Sequence, residues 1–194
     1  MRIEIVCSAL LAIALLTAGC SSTLPPPAEG ITFRPIVVED GLAAVTEFTV
    51  AAPLDRARAV LMDFNRHADF RPGMLESEIL EIRDDNTGSI RFRMRGILGV
   101  NPVATCELTL REREGWWTLY YELTDSDIGI SFLAGRFTLT ARDPEHTHVM
   151  SEHWVDAWLI TQDAYFVYLI DDAEALRDEM ARSDLPSSEP GPGQ

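Results

Sequence analysis

The sequence predicts an α+β domain: a curved antiparallel sheet of about six to seven strands wrapped around a long C-terminal helix, with two short helices after the first strand. Three observations predict it. From Glu76 onward apolar residues recur at every second position, in segments separated by turn residues. Ahead of them, Asp55 to Phe64 spaces its apolar residues as a helix does. Asp163 to Arg182 does the same and holds neither proline nor glycine.

Leu42 to Val50 opens the sheet, with Ala44, Thr46, Phe48 and Val50 on one face, and Ala51-Ala52-Pro53 ends it. In the helix that follows, Ala57, Val60, Leu61 and Phe64 share one side, and Pro53 is tolerated near its start. Arg71-Pro72-Gly73 stops the second short helix, over His67 to Phe70. Glu76 to Arg83 then runs to a hairpin signal at Asp84 to Gly88. Ser89 to Ile97 alternates strictly, Ile90, Phe92 and Met94 against Arg91, Arg93 and Arg95, so one face is dry and the other wet. Val103 to Arg111 turns Cys106, Leu108 and Leu110 inward, and Trp116 to Leu123 turns Trp117, Leu119, Tyr121 and Leu123 the same way. Ile130 to Ala141 and Thr147 to Ala157 flank a turn at Asp143-Pro144. Successive hairpins make an antiparallel sheet, and the last helix, with Tyr165, Phe166, Leu169, Ala173, Leu176 and Met180 on one stripe, is expected to cross its concave face. Asp171-Asp172 within it reads as solvation.

The ends of the chain read differently. Arg2, an apolar run from Ile5 to Leu16, and Leu16-Thr17-Ala18-Gly19-Cys20 resemble the export signal of a bacterial lipoprotein, in which the cysteine is acylated and becomes the first residue. Organisation follows as a signal over 1–19, acylated Cys20 and a Pro-rich linker over 20–33, a domain over 34–182 and a disordered tail over 183–194. The resemblance implies a lipid-anchored protein of the cell envelope, and Ser21 after the cysteine points to the periplasmic face of the outer membrane. Removing the signal leaves roughly 170 residues, enough for one domain. Every one of the 16 basic residues is arginine and the net charge is −15, so nucleic acid is excluded as a partner by repulsion. Cys7 leaves with the signal and Cys20 is acylated, so Cys106 has no partner for a disulfide and reads as a small core residue.

The order of elements, together with the run from Phe48 to Leu80, is similar to the START-like superfamily and its helix-grip fold, which includes polyketide cyclases and coenzyme-Q-binding proteins. Asp63-Phe64, Phe70 and Pro72-Gly73 stand where that superfamily has an Asp-aromatic pair, an aromatic and a Pro-Gly turn, and Gly135-Arg136-Phe137 resembles its Gly-x-aromatic strand. Two positions depart: Arg71 precedes the proline where an apolar residue is usual, and Phe137 replaces a common indole.

What the resemblance implies is an apolar cavity between sheet and last helix, lined here by Phe92, Met94, Cys106, Leu108, Trp117, Leu119, Tyr121, Phe137, Tyr165 and Leu169, for a hydrophobic small molecule or lipid. The same residues could instead fill the core. His153 joins them if Val149, Val155 and Ala157 face inward, either as a satisfied core histidine or as a hydrogen-bond or acid–base group for the guest; a register shifted by one turns Glu152, Trp154 and Asp156 inward instead. His146 and His148 point the same way on a strand, but no third ligand is placed, so no metal is expected. No glycine-rich phosphate loop, nucleophile elbow or paired CxxC motif calls for a cofactor or assigns a catalytic residue. The expected function is a non-enzymatic, lipid-anchored carrier of a quinone, isoprenoid or lipid. One rival is a cyclase or dehydratase using His153, Tyr121 or Glu152, and another is an envelope interaction module presenting Trp116, Tyr120 or Trp154.

Overall fold

The computed structural model describes residues 24–96, 99–158 and 160–182. The expected signal, the acylated Cys20 and the tail from 183 lie outside the described residues. Eight strands form one antiparallel sheet: β1 (Ile31–Ile36), β2 (Leu42–Val50), β3 (Met74–Ile82), β4 (Thr87–Met94), β5 (Val103–Arg113), β6 (Trp116–Ser126), β7 (Ile130–Ala141) and β8 (Thr147–Ala157). Three helices accompany them: α1 (Leu54–Met62), α2 (His67–Phe70), which follows a single 3-10 turn at Phe64–Arg66, and α3 (Gln162–Ala181). The sheet order is β1-β2-β8-β7-β6-β5-β4-β3, so β3 to β8 form a meander and only β2 to β3, through α1 and α2, crosses from one side to the other. That crossover closes the grip.

The strand count exceeds the expectation by the edge strand β1. Its sequence, ITFRPI, carries Pro35, which removes a ladder donor and is admissible only at an edge. Here it pairs with Ala44 on the single neighbour β2. The chain also joins the fold before the expected boundary at 34. Ala28 donates its N–H to Glu174 at 2.9 Å, Arg177 donates to the Glu29 carbonyl at 3.0 Å, and Leu24 and Ala28 pack on the core.

Alternation does what its period requires. On β4, Ile90 and Phe92 are buried while Arg91 and Arg93 are exposed, where they pair across the ladder with Glu78 and Glu76. Pairs this exposed contribute little stability and serve mainly to keep the outer face wet. On β8 the register is the one that turns His153 inward: Val149, Ser151, His153 and Val155 are buried, and Glu152, Trp154 and Asp156 face out. Helix α3 starts at Thr161, whose side chain accepts from the Ala164 N–H, and lies mainly on β2, with β1, α1 and α2 at its flanks. Its C-terminal end is tied to α1 and the turn after it, through Arg56 to the Arg182 carbonyl and Arg66 to Glu179.

Candidate functional site: a cavity with a polar end

Between the N-terminal half of α3 and the strands lies a cavity of about 300 Å³. Its wall comes from the α2–β3 junction (Arg71, Gly73, Met74), β4 (Phe92, Met94), β6 (Tyr121), β7 (Ile130, Leu133), β8 (His153, Val155, Ala157) and α3 (Tyr165, Tyr168, Leu169), with Arg95, Gly96, Pro102, Gly129, Ile160 and Ala164 completing it. Six of the residues predicted from the sequence are therefore in this wall: Phe92, Met94, Tyr121, His153, Tyr165 and Leu169. The other five are not. Cys106, Leu108, Trp117, Leu119 and Phe137 are almost fully buried and belong to the close-packed part of the core. They share the concave face, as alternation requires, but the space over it is filled there: the Arg58 guanidinium of α1 lies 5.9 Å from the Trp117 ring centre, and the Phe137 ring packs against Arg71, Tyr121 and His153. Burial pushes the Cys106 thiol up to about 12, which leaves it unreactive.

One end of the cavity is polar. Arg71, which leaves α2, donates through Nε and Nη2 to the two carboxylate oxygens of Asp172, both at 2.7 Å. Both side chains are buried. Burial opposes the guanidinium charge, but Asp172, joined by Tyr168 and Tyr121, holds Arg71 above its ordinary range. The remaining edge of Arg71 meets His67 Nδ1 at 3.3 Å and the Tyr168 hydroxyl, and its face lies 5.6 Å from the Phe137 ring centre. His67 is itself fixed by the Val60 carbonyl at 3.2 Å, and burial together with Arg71 lowers it to about 3. The Asp172 expectation is thus corrected: it is an interior counter-ion, because a guanidinium cannot be buried alone.

Beside the ion pair runs a second chain of contacts. The Tyr121 hydroxyl lies 2.6 Å from His153 Nδ1, and Ser151 Oγ contacts His153 Nε2. Burial, reinforced by Arg71 and opposed by Asp172, lowers His153 to about 4. Burial raises the Tyr121, Tyr165 and Tyr168 phenols. Near pH 7 these are neutral hydrogen-bonding groups. Gly135 makes the contact possible, since it sits between Tyr121 and His153 in the ladder and a Cβ there would stand 2.3 Å from the Tyr121 hydroxyl. Gly73 has a comparable reason, with φ at 75° and a Cβ position 3.2 Å from the Tyr168 ring.

Sequence reasoning missed Arg71, Asp172, Tyr168, His67 and Ser151. Two signals were available. Arg71 stood at one of the departures from the family pattern, and Asp172 falls at helical spacing between Leu169 and Leu176, on the apolar stripe. His146 instead pairs with Asp143 at 2.9 Å and His148 approaches Glu47 at 3.6 Å, and no cluster suited to a metal occurs among the described residues. Trp116, Tyr120 and Trp154 are each half-buried on the outer face.

Neither a family model nor a curated protein matches the sequence. Solved structures do match it in three dimensions. A STAR-related lipid transfer protein from Xanthomonas axonopodis superposes with a TM-score of 0.69 at 20% identity, covering 82% of this chain and 98% of that one. The lipid transfer and protein localization domain of human StarD13 gives 0.66 at 10% identity, covering 93% and 98%. The Zhui aromatase/cyclase from Streptomyces sp. R1128 gives 0.58 at 18%, covering 77% and 94%. The chain has the START-like helix-grip fold, and its cavity lies where the last helix crosses the curved sheet.

Proposed function

We propose that this protein binds and carries one small hydrophobic molecule in the cavity under α3. The observation that carries the reading is a void with mostly apolar walls and a buried polar end, in a fold whose neighbours include lipid transfer proteins. Binding would come from desolvated apolar area, and the polar end would set orientation. At about 300 Å³ the cavity is at the lower end of ligand pockets, which span about 300–1,000 Å³, so it suits a single ring system or one chain rather than a two-chain lipid.

The fit to a carrier is better than to an acid–base enzyme. A base working near pH 7 needs a matched pKa, whereas burial holds His153 at about 4 and the Tyr121 phenol well above its usual value. The lipoprotein-like signal completes the proposal: acylated Cys20 would hold the carrier at the periplasmic face of the outer membrane, with the cavity free to exchange its guest. Native mass spectrometry of protein purified from its own membranes tests the carrier, which should retain a stoichiometric small molecule. Protein that comes away empty and fails to take up phenyl naphthylamine, a neutral fluorescent probe, would end the reading. Cys20→Ser should release the protein from the membrane fraction, and retention would end the anchoring proposal.

A further inference from the structure

The polar end of the cavity offers a guest no uncompensated charge. Arg71 and Asp172 satisfy each other through two bonds of 2.7 Å, and His67 and Tyr168 engage the rest of the guanidinium. A carboxylate or phosphate drawn in beside them would be a buried anion without a counter-ion, because the other cation of the wall, Arg95, is exposed to solvent. The selectivity therefore falls to hydrogen bonding. In that respect the neighbouring chain of Tyr121, His153 and Ser151 has a property that neither pair has alone.

A neutral imidazole carries one N–H, so His153 donates from one nitrogen and accepts at the other. When Nε2 carries the proton, it donates to Ser151 Oγ, Tyr121 donates to Nδ1, and the phenol oxygen keeps lone pairs for a guest hydroxyl. When Nδ1 carries it, Ser151 donates to Nε2, Nδ1 donates to the phenol oxygen, and the phenol proton is free for a guest carbonyl. Both states hold the same number of protons and the same heavy-atom positions. A guest selects between them by the hydrogen bond it makes to the phenol. We propose that Tyr121, His153 and Ser151 form a two-state reader of one uncharged oxygen, which admits alcohols and ketones of one skeleton alike and rejects carboxylates. The proposal rests on the carrier reading and specifies the guest.

The test loads the full chain with phenyl naphthylamine and displaces it with decyl alcohol, methyl octyl ketone or decanoate at about pH 8, where a carboxylate is ionised. The alcohol and ketone should act at concentrations within about threefold of each other, and decanoate should need about tenfold more or worse. Tyr121→Phe should weaken both oxygenated guests about tenfold. Nitrogen NMR of labelled histidine should place the His153 proton on Nδ1 in the ketone complex, because a ketone can only accept and needs the phenol proton, whereas an alcohol, which donates and accepts, is served by either state. Equal displacement by decanoate, or a His153 proton on Nε2 in the ketone complex, overturns the proposal while the carrier reading stands. Failure of the naphthylamine itself to bind removes both. Where Tyr121→Phe does not fold, the wild-type displacement series and the tautomer readout decide.

Discussion

Leu108, Trp117 and Leu119 occupy the same concave face of the same sheet as Phe92, Tyr121 and His153, yet the first group is sealed and the second borders a void. The strands treat both groups alike, since each points inward by alternation. What differs is the cover. Beside the first group stands α1, whose Arg58 lies over the Trp117 ring and whose Ala57, Val60 and Leu61 are buried, and α1 is tied to the C-terminal end of α3. Over the second lies only the N-terminal half of α3, flanked by segments that supply Gly73, Gly96 and Gly129. A strand's inward face thus specifies dryness, and the helices decide whether the dry space is filled.

Four experiments break or sharpen this contrast. Asp172→Ala should have the largest effect, about 3–5 kcal/mol lost in urea unfolding, because it strands the buried Arg71 charge. Replacing both partners, Arg71→Met with Asp172→Leu, should restore most of that stability; a double variant as weak as the single one would show that the pair is not the source. In the sealed half, Leu108→Ala should cost about 2–5 kcal/mol through the cavity it opens, with naphthylamine still binding under α3. Loss of probe binding with that variant would merge the two regions.

Acid should weaken the open half through His153. Well above pH 6.5 the imidazole is neutral in folded and unfolded chains alike, so it contributes no pH dependence there. Below that, the unfolded chain takes up a proton that the folded chain refuses until about pH 4, so stability should fall across that window by about 3 kcal/mol from this group. His67, held at about 3, adds a fall of the same sign, and a flat urea midpoint from pH 6.5 to 4 would contradict the buried neutral assignment. The smallest stability change belongs to Val155→Phe, which grows into the void rather than into packed atoms and should shift unfolding by less than about 1 kcal/mol. It should nevertheless abolish naphthylamine binding, and binding at wild-type strength would move the site elsewhere.

Much of this architecture was legible in the linear chain. The seven strands from β2 to β8 follow from period-two runs between turn residues, and α3 follows from its uninterrupted apolar stripe, because local backbone geometry imposes those periods. Strand β1 was hidden because a short run holding proline becomes a strand only when a neighbour with a free edge receives it. The same split runs through the site. Phe92, Met94, Tyr121, Tyr165 and Leu169 stood out as inward-facing, and His153 once its register was fixed, but so did Cys106, Leu108, Trp117, Leu119 and Phe137, so facing marked the dry side without separating the wall from the filled core. That register, set by pairing Ala44 and Gly135 against His153, needed the ladder.

Sequence alone therefore determined which faces are apolar, where the chain turns, and that one helix must close the sheet. Folding in three dimensions decided that α1 seals one stretch and leaves another open, and that Arg71 meets Asp172 across 101 positions. The reason is physical: periodicity is a local consequence of backbone dihedrals, whereas filling a space and neutralising a buried charge depend on which distant groups arrive at the same place.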